Sequence, residues 1–265
     1  MSGRGDRGPL KRRRLRRLLW ILVIAGLWEL ISRLDLFPEL LFPPLADILI
    51  SLFRSLLGGG LLVQTGFSLL LILSALALSG VLTLILFTLS VLSRRLKDFF
   101  FFLQSFLHPL PGIALLPLFI LWFGTGTPPV LIVIIHSVLW PLYTSLMGGY
   151  EALPRIWTRI GRNYMLGTGH MIRHIYLPGC MPSLTAGLKI GWARSWRALI
   201  SAEMIFGAVG ATGGLGWFLF QKRVFMDTPG LFAGLIMVAV IGLIVEDAVF
   251  GFLERKTFGA WGTGS

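Results

Sequence analysis

Two groups of ionisable side chains lie in a chain that is otherwise mostly apolar. The first group, in the stretch 150–182, comprises Arg155, Arg159, Arg162, His170, Arg173 and His174. The second group, in the stretch 183–206, comprises Lys189, Arg194, Arg197 and Glu203. No catalytic template accounts for them, because the chain lacks a GxxxxGK(S/T) phosphate loop, an HExxH sequence and a GxSxG sequence. His170 and His174 are four residues apart but have no third metal ligand nearby. We therefore expect no catalysis, bound metal or cofactor in this chain.

The stretch 150–182 has the pattern of two short helices joined by a turn. Its arginines recur on one helix face and its larger apolar side chains on another. The basic face has Arg155, Arg159 and Arg162. The apolar face has Ile156, Ile160 and Tyr164. Pro154 suits a helix start, while Gly167 and Gly169 suit a stop and a second start. Such a segment either lies on anionic lipid or docks in a groove of a soluble partner.

The composition predicts a membrane protein. Of the 265 residues, 55% are hydrophobic and only 14% are charged, and the mean hydropathy is +0.80. The surface of a soluble domain of this length needs far more charge. Several apolar segments of roughly 20 residues follow one another, which is the length a helix needs to cross a bilayer. The expected fold class is an all-α polytopic membrane protein with about six transmembrane helices.

The formal net charge of +12 does not indicate a nucleic-acid partner, because the basic residues are distributed as in a membrane protein. Eight of the 24 basic residues precede Leu18, and most of the others lie in short loops between apolar segments. This is the positive-inside pattern, which places both termini in the cytoplasm. Residues 1–17 are expected to form a basic, disordered cytoplasmic arm. The single Cys180 excludes an intrachain disulfide.

The apolar segments define six predicted spans within a transmembrane domain of residues 18–256, and 257–265 form a predicted cytoplasmic tail. The spans are placed at about 18–31, 62–92, 99–123, 130–147, 183–206 and 229–250. The sequence HPLPG at 108–112 predicts that the third span is kinked or broken near mid-membrane, with Pro117 as a further interruption. Irregular backbone at that depth is tolerated only beside protein or a water-lined path. A short helix is predicted at Leu45–Leu57, in an outside loop, and a larger outside loop at 207–228.

Charged side chains in the fifth span are costly, at about 2.5–3.5 kcal/mol for each arginine at a helix centre, so they require partners or water. Arg194 and Arg197 share a helix face, whereas Arg197 and Glu203, six apart, cannot pair along one helix. One interpretation is that Arg194, Arg197 and Glu203 line a translocation path whose positive potential favours an anion. The other is that the arginines bind helix-end carbonyls or a carboxylate such as Glu29. Lys189, near the cytoplasmic end, is expected to extend to the membrane surface.

Three separated stretches resemble one family. The stretch 150–182 is similar to the cytoplasmic EAA loop of bacterial ABC-importer permeases, particularly the nitrate, taurine and aliphatic-sulfonate branch. That loop reads Glu-Ala-Ala-x3-Gly, followed after a fixed interval by Ile/Leu-Leu-Pro. Aligned back from Leu177 and Pro178, which match, the residues 159–161 (Arg-Ile-Gly) take the Glu-Ala-Ala positions and Met165 takes the Gly position. LPGIALLPLFILWFG at 110–124 resembles the third span of the branch, and WARSWRALISAE at 192–203 with GGLG at 213–216 resembles its fifth span and outside loop.

The resemblance implies the transmembrane permease subunit of an ATP-driven importer in the bacterial inner (plasma) membrane. It implies a type I ABC importer permease fold with cytoplasmic coupling helices between spans 4 and 5, in a coupling loop at about 150–182. The residues that take the coupling positions are Arg159, Gly161, Arg162, Met165, Gly167, Leu177 and Pro178. Two permeases, expected to be identical, would pair in the bilayer. Two ATPase subunits, which bind the ATP and Mg, would dock on the loop, and a substrate-binding protein would deliver a small anionic solute such as nitrate, a sulfonate or taurine.

Three alternatives remain open from the sequence. An importer of the same fold could carry a vitamin precursor. An ATP-independent membrane transporter would need internal repeats and ion ligands at the midplane, and the sequence has neither. A membrane enzyme is disfavoured by the missing catalytic sequences.

Overall fold

The structure, a computed structural model, describes residues 8–34, 36–58, 60–210 and 212–253, and these residues are mostly helical. The helices are α1 Gly8–Arg33, α2 Leu45–Leu57, α3 Leu61–Leu92, α4 Arg94–Leu107, α5 Gly112–Phe123, α6 Thr127–Glu151, α7 Arg155–Asn163, α8 Thr168–Met171, α9 Leu177–Gly179, α10 Met181–Phe206, α11 Leu215–Val224 and α12 Thr228–Ile244. Two π-helical segments, Ile172–Tyr176 and Val245–Phe250, follow α8 and α12. No strand occurs in the described part of the chain.

Most predicted spans are helices in the structure. α3, α6, and α12 with its extension to Leu253 are long and apolar enough to cross a membrane, and α4 and α5 qualify together as a bent pair. α10 has 26 residues but carries four charged ones, so its role as a span, and the total of six spans, stay predictions. The predicted short outside helix is present with the same bounds, as α2.

The first helix corrects one prediction. A disordered arm is expected up to residue 17, but α1 begins at Gly8 and runs without a break into the apolar segment. Leu, Arg and Lys have high helix propensity, and Pro9 lies in the first turn, where its missing N–H costs no hydrogen bond. Residues 1–7 and the tail predicted at 257–265 lie outside the described residues.

α10 packs along α6 because glycines bring the two backbones close together. A Cβ added at Gly191 would lie 2.9 Å from Val138 Cγ1, and one at Gly187 would lie 2.9 Å from two α6 side chains. Small residues four apart are a common device for close helix packing in membranes. Gly149 near the end of α6 meets Ser183 near the start of α10, so the two helices run antiparallel.

α4 and α5 form one broken span rather than a re-entrant loop. Their axes are bent by 101° across the HPLPG break. Lys97 near the start of α4 lies 2.7 Å from Glu151 at the C-terminal end of α6. Gly112 at the start of α5 lies against Ser137 in the middle of α6, and α5 ends at the turn into the start of α6. The break therefore lies near mid-depth, as predicted, whereas Pro117 does not interrupt α5.

Two adjacent glycines near the end of α6 provide a matched test of the α6–α10 packing. A Cβ at Gly149 would lie 2.6 Å from Ser183 Cβ, whereas one at Gly148 meets nothing within 4 Å. We expect Gly149→Ala to lower the free energy of unfolding by about 1–3 kcal/mol, because α10 must move away. Gly148→Ala is expected to be neutral or stabilising by up to ~1 kcal/mol. Thermal unfolding in detergent measures both, and equal losses would contradict the packing.

Candidate functional sites

The stretch 150–182, called the insert from here on, forms the two helical pieces that its sequence predicts. α7 begins directly after Pro154, and α8, a π-helical segment and α9 together cover 168–179. The turn between the pieces contains Met165 in the left-handed region, with φ of 52°. The Met165 N–H donates to the carbonyl of Arg162, and the Leu166 N–H to that of Gly161. Left-handed backbone favours glycine, so the methionine here is conformationally strained.

The second helical piece of the insert is built into the base of the bundle. Met171, Ile172, Tyr176 and Cys180 are buried in one cluster with side chains of α3, α4 and α6, including Tyr143. Gly161 on α7 lets this piece approach, since a Cβ there would contact Met171 and Ile175. Gly179 on α9 does the same, because a Cβ there would lie 2.6 Å from Leu153 Cδ2. The insert is therefore in direct contact with α6 and its neighbours.

The outer side of α7 is exposed and partly apolar. Ile156 and Ile160 are about half exposed, Tyr164 is 76% exposed and Met165 is 93% exposed. The coupling-position residues are distributed as follows: Arg159, Arg162, Met165 and Gly167 are exposed, Gly161 is buried, and Leu177 and Pro178 are half-buried at the start of α9. Apolar side chains presented on a firmly packed helix are typical of a docking surface.

The two histidines of the insert lie side by side. The rings of His170 and His174 stack at 5.7 Å, and His174 Nδ1 lies 3.1 Å from the carbonyl oxygen of His170. Within the described ranges, no three histidine, cysteine or acidic side chains lie close enough to hold a metal ion.

A cavity of about 370 Å³ opens beside the break between α4 and α5. Its lining includes Gly112, Ile113, Ser137, Arg194, Arg197 and Ser201. The Arg197 Nε donates to the carbonyl of Ala193 one turn back, at 3.3 Å. In the described part of the chain, no carboxylate lies within ion-pair distance of either arginine. Glu29, the carboxylate weighed as a partner, instead pairs with Arg33 at 2.8 Å.

The start of α5 contributes to the same cavity. No side chain caps this helix, and Gly112 and Ile113, its first two residues, line the cavity. The first N–H groups of a helix have no partner within the helix and carry its positive dipole end. A Cβ at Gly112 would lie 2.8 Å from Ser137 Oγ, so glycine permits the close approach of α5 to α6.

Glu203 does not line the cavity with the two arginines. Its side chain is fully buried, and its carboxyl group accepts the N–H of Gly214 at 2.6 Å and that of Gly216 at 2.9 Å. Ser68 of α3 accepts the N–H of Leu215 between them, at 2.8 Å. Glu203 and Ser68 therefore anchor the loop between α10 and α11, which is called the outer loop after its predicted side of the membrane.

The other charged residue of α10, Lys189, lies 3.1 Å from Glu246 in the π-helical segment after α12. The Lys189 side chain is 38% exposed and links α10 to this segment, while its extension to the membrane surface stays a prediction.

The family of the chain follows from residues 79–259, which include the broken span, the insert, α10 and the outer loop. This range matches the model described as binding-protein-dependent transport system inner membrane component. The chain belongs to this family. The permease is therefore a multi-pass membrane protein with the all-α fold of type I importer permeases, and its family is one of transport subunits rather than catalytic proteins.

Known relatives align with most of the permease. It is 27% identical over 259 residues to the taurine transport system permease protein TauC of Escherichia coli, covering 95% of this chain and 92% of TauC. It is 26% identical over 239 residues to the aliphatic sulfonates transport permease protein SsuC of Bacillus subtilis, covering 90% and 85%. It is 27% identical over 180 residues to the nitrate import permease protein NrtB of Leptolyngbya laminosa, covering 68% and 62%.

A second set of polar contacts fixes the outer loop of the permease at the start of α12. The Asp227 carboxyl accepts the N–H of Gly230 at 2.9 Å and lies 2.6 Å from Lys222 Nζ. Partial burial alone raises the pKa of Asp227, but the hydrogen bonds from Lys222 and Gly230 outweigh it and lower the pKa below its ordinary value. Asp227 is therefore ionised at neutral pH and caps α12.

Sequence reasoning missed two residues of these sites. Ser68 lies 147 positions before Leu215, so no local pattern connects it with the outer loop. Gly112 belongs to the HPLPG break, but only the contact with Ser137 shows that it sets the spacing of α5 and α6.

Proposed function

We propose that this permease imports a small anion in a bacterial inner membrane, delivered by an extracytoplasmic substrate-binding protein and driven by two separate ATPase subunits. Two identical permeases pair in the bilayer, with six spans each and both termini in the cytoplasm. ATP and Mg are bound by the ATPases and not by this chain. The observation that carries the anion proposal is a cavity at a helix break with two arginines that have no carboxylate partner among the described residues.

The electrostatics of the cavity favour an anion for three reasons. Arg194 and Arg197 bring two positive charges, and arginine hydrogen bonds well to carboxylate, sulfonate and other oxyanions. The uncapped start of α5 adds peptide N–H groups with the positive end of a helix dipole. A broken helix whose half-helix N-terminus faces a cavity near mid-membrane is a recurring form of anion site in transporters. The named cargoes of the relatives, namely taurine, aliphatic sulfonates and nitrate, each carry an oxyanion group.

The insert is the proposed docking site of the ATPases. Its exposed apolar face, formed by Ile156, Ile160 and Tyr164, suits a groove in a soluble partner, and Arg159 and Arg162 flank that face. Its second helical piece is packed into the bundle base, so closure of the ATPases would move α6 and, through it, α5 and α10. The proposed role of four further coupling-position residues is to set the shape of the insert rather than to contact the ATPase. These residues are Gly161, Gly167, Leu177 and Pro178.

The proposed orientation of the chain in the membrane is inferred from its basic residues. Arg94, Arg95 and Lys97 at the start of α4 lie at the same end of the bundle as the insert, since Lys97 pairs with Glu151. The positive-inside rule places this end in the cytoplasm. The outer loop anchored by Glu203 then faces the substrate-binding protein.

Charge-neutralising variants test the anion proposal. Arg194→Gln and Arg197→Gln are each expected to lower nitrate and methanesulfonate uptake by 10-fold or more, because a hydrogen bond to a charged group is worth about 1.5–3 kcal/mol. Lys189→Gln removes a positive charge from the same helix but outside the cavity, and is expected to change uptake less than about twofold. Uptake is measured in proteoliposomes with the cognate ATPase, binding protein and ATP. Uptake without ATP, or equal losses in all three variants, would overturn the proposal.

A further inference from the structure

One side of the short helix α2 presents large apolar side chains at the surface. The exposed fractions are 48% for Leu49, 54% for Ile50, 61% for Phe53 and 89% for Leu57. Their spacing of one, three and four residues places them on one side of the helix, called the apolar sector below. A different side of α2 faces the core, because Ile48 and Ser55 are buried.

A third side of α2 is polar. Asp47, Ser51 and Arg54 follow one another at steps of four and three residues, so they share a face, called the polar sector below. Asp47 and Arg54 are exposed, and Ser51 is half-buried. A surface helix of a soluble protein has one buried and one polar side. The additional apolar sector is typical of a helix at the boundary between protein, lipid and water.

α2 lies beside the start of α12, at the end of the bundle opposite the insert. Lys189, near the start of α10, lies 3.1 Å from Glu246, which follows α12. α12 therefore ends on the side of the insert and begins at the other end. Arg54 of α2 acts electrostatically on Asp227, the residue that caps α12. Since α12 is an apolar span whose surface is mostly exposed, α2 lies near the membrane boundary.

α2 runs obliquely across the first turns of α12. Trp28 donates to the carbonyl of Pro43, just before α2, at 3.0 Å, and its ring packs edge-on against Phe232 at 4.9 Å. Arg54, near the other end of α2, is within electrostatic range of Asp227. Phe232 and Asp227 are only about 8 Å apart along α12, whereas α2 extends about 15 Å between these two contacts. A helix that lies near the plane of the membrane has this arrangement.

The apolar sector needs a permanent cover. A soluble partner that binds and leaves again does not provide one, and the interfaces of such partners are only about as apolar as the rest of a protein surface. Four large apolar side chains left in water between encounters would favour aggregation. Lipid is always present beside α12. The polar sector of the same helix suits the lipid head groups, because Arg54 can donate to their phosphates.

We propose that α2 is an interfacial helix, with its apolar sector among the lipid acyl chains of the leaflet opposite the insert and its polar sector at the head groups. The loop between the first two predicted spans is then held on the membrane surface rather than free in water. The apolar sector is consequently closed to a soluble partner, so a substrate-binding protein docks on other parts of this end of the permease.

Spin labels at two adjacent residues test this placement. Cys180 is the only cysteine, so Cys180→Ser gives a background in which a single label can be attached. Phe53→Cys places the label in the apolar sector, and Arg54→Cys, the matched control, places it in the polar sector. In proteoliposomes of phosphatidylethanolamine and phosphatidylglycerol, oxygen concentrates among the acyl chains and a nickel chelate stays in water. We expect oxygen to relax the label at 53 more strongly than the chelate does, and the reverse order at 54.

Two results would overturn the proposal. Stronger relaxation by the nickel chelate at both positions would place the apolar sector in water. Weak relaxation of the label at 53 by both reagents would mean that protein covers this sector, as in a contact with a second permease. Leu57→Cys gives a second position in the apolar sector, and Cys180→Ala replaces Cys180→Ser if the latter lowers the unfolding temperature.

Discussion

ATPase association is expected to fall by about 10²–10⁴-fold when Ile156 and Ile160 are both replaced by glutamate, and ATP-driven import is expected to be lost with it. Burying each isoleucine on docking contributes about 1.5–3 kcal/mol, and two charges in the same groove oppose binding further. The fold is expected to be unaffected, because both side chains are about half exposed in the free permease. Co-purification of the ATPase in detergent and ATP-driven uptake are the two measurements.

Two matched variants separate the apolar contact from charge alone. Arg159→Glu changes the net charge by the same amount as the double variant, but it lies on the basic face of α7. Its expected effect on association is only a few-fold, since an exposed ion pair is worth roughly 0.2–1 kcal/mol. Ile156→Leu with Ile160→Leu retains the apolar area and is expected to behave as the unchanged protein. If the double glutamate variant still binds the ATPase while the permease loses affinity for anionic vesicles, the insert is a lipid-binding segment instead.

The elements that the sequence predicts well are those with a strong local pattern. The bounds of α2 and the two pieces of the insert follow from turn residues at their ends and from helical spacing between them. The break before α5 follows from two prolines and a glycine within five residues, which a continuous helix does not tolerate. Physical rules that act over a few residues were sufficient in these cases.

The features that the sequence predicts poorly depend on distant contacts or on backbone strain. The predicted start of the first helix is wrong. The basic residues before Leu18 indicate a solvated arm, but their helix propensity favours continuation of the helix towards the N-terminus. A methionine does not predict left-handed backbone, so the conformation of Met165 could not be expected from its residue type. The family that the sequence resembles has glycine at this position. The separation of Glu203 from Arg194 and Arg197 depends on how the outer loop folds back onto α3, which no spacing within α10 shows.

Glu203→Ala is expected to destabilise the permease by about 3 kcal/mol or more. The N–H groups of Gly214 and Gly216 would lose their acceptor in a buried site, and each unsatisfied buried donor costs about 1–3 kcal/mol. Gly214 and Gly216 pack directly against the Glu203 side chain, so its truncation also leaves a cavity. Thermal unfolding in detergent and protease cleavage of the loop 207–216 are the measurements.

Three variants that weaken the loop contacts to different degrees distinguish two roles of Glu203, namely anchoring the outer loop and lining the translocation path. Glu203→Gln keeps one acceptor oxygen but turns an amide donor towards a peptide N–H, so its expected loss of stability lies between those of Ser68→Ala and Glu203→Ala. Ser68→Ala removes only the acceptor for Leu215 and is expected to cost about 1–2 kcal/mol. For an anchor, uptake falls in the same order as stability, because the loop that receives the solute is displaced in each variant. If Glu203→Gln unfolds at the unchanged temperature but no longer transports, the carboxyl group acts in translocation itself, and the loop contacts are secondary.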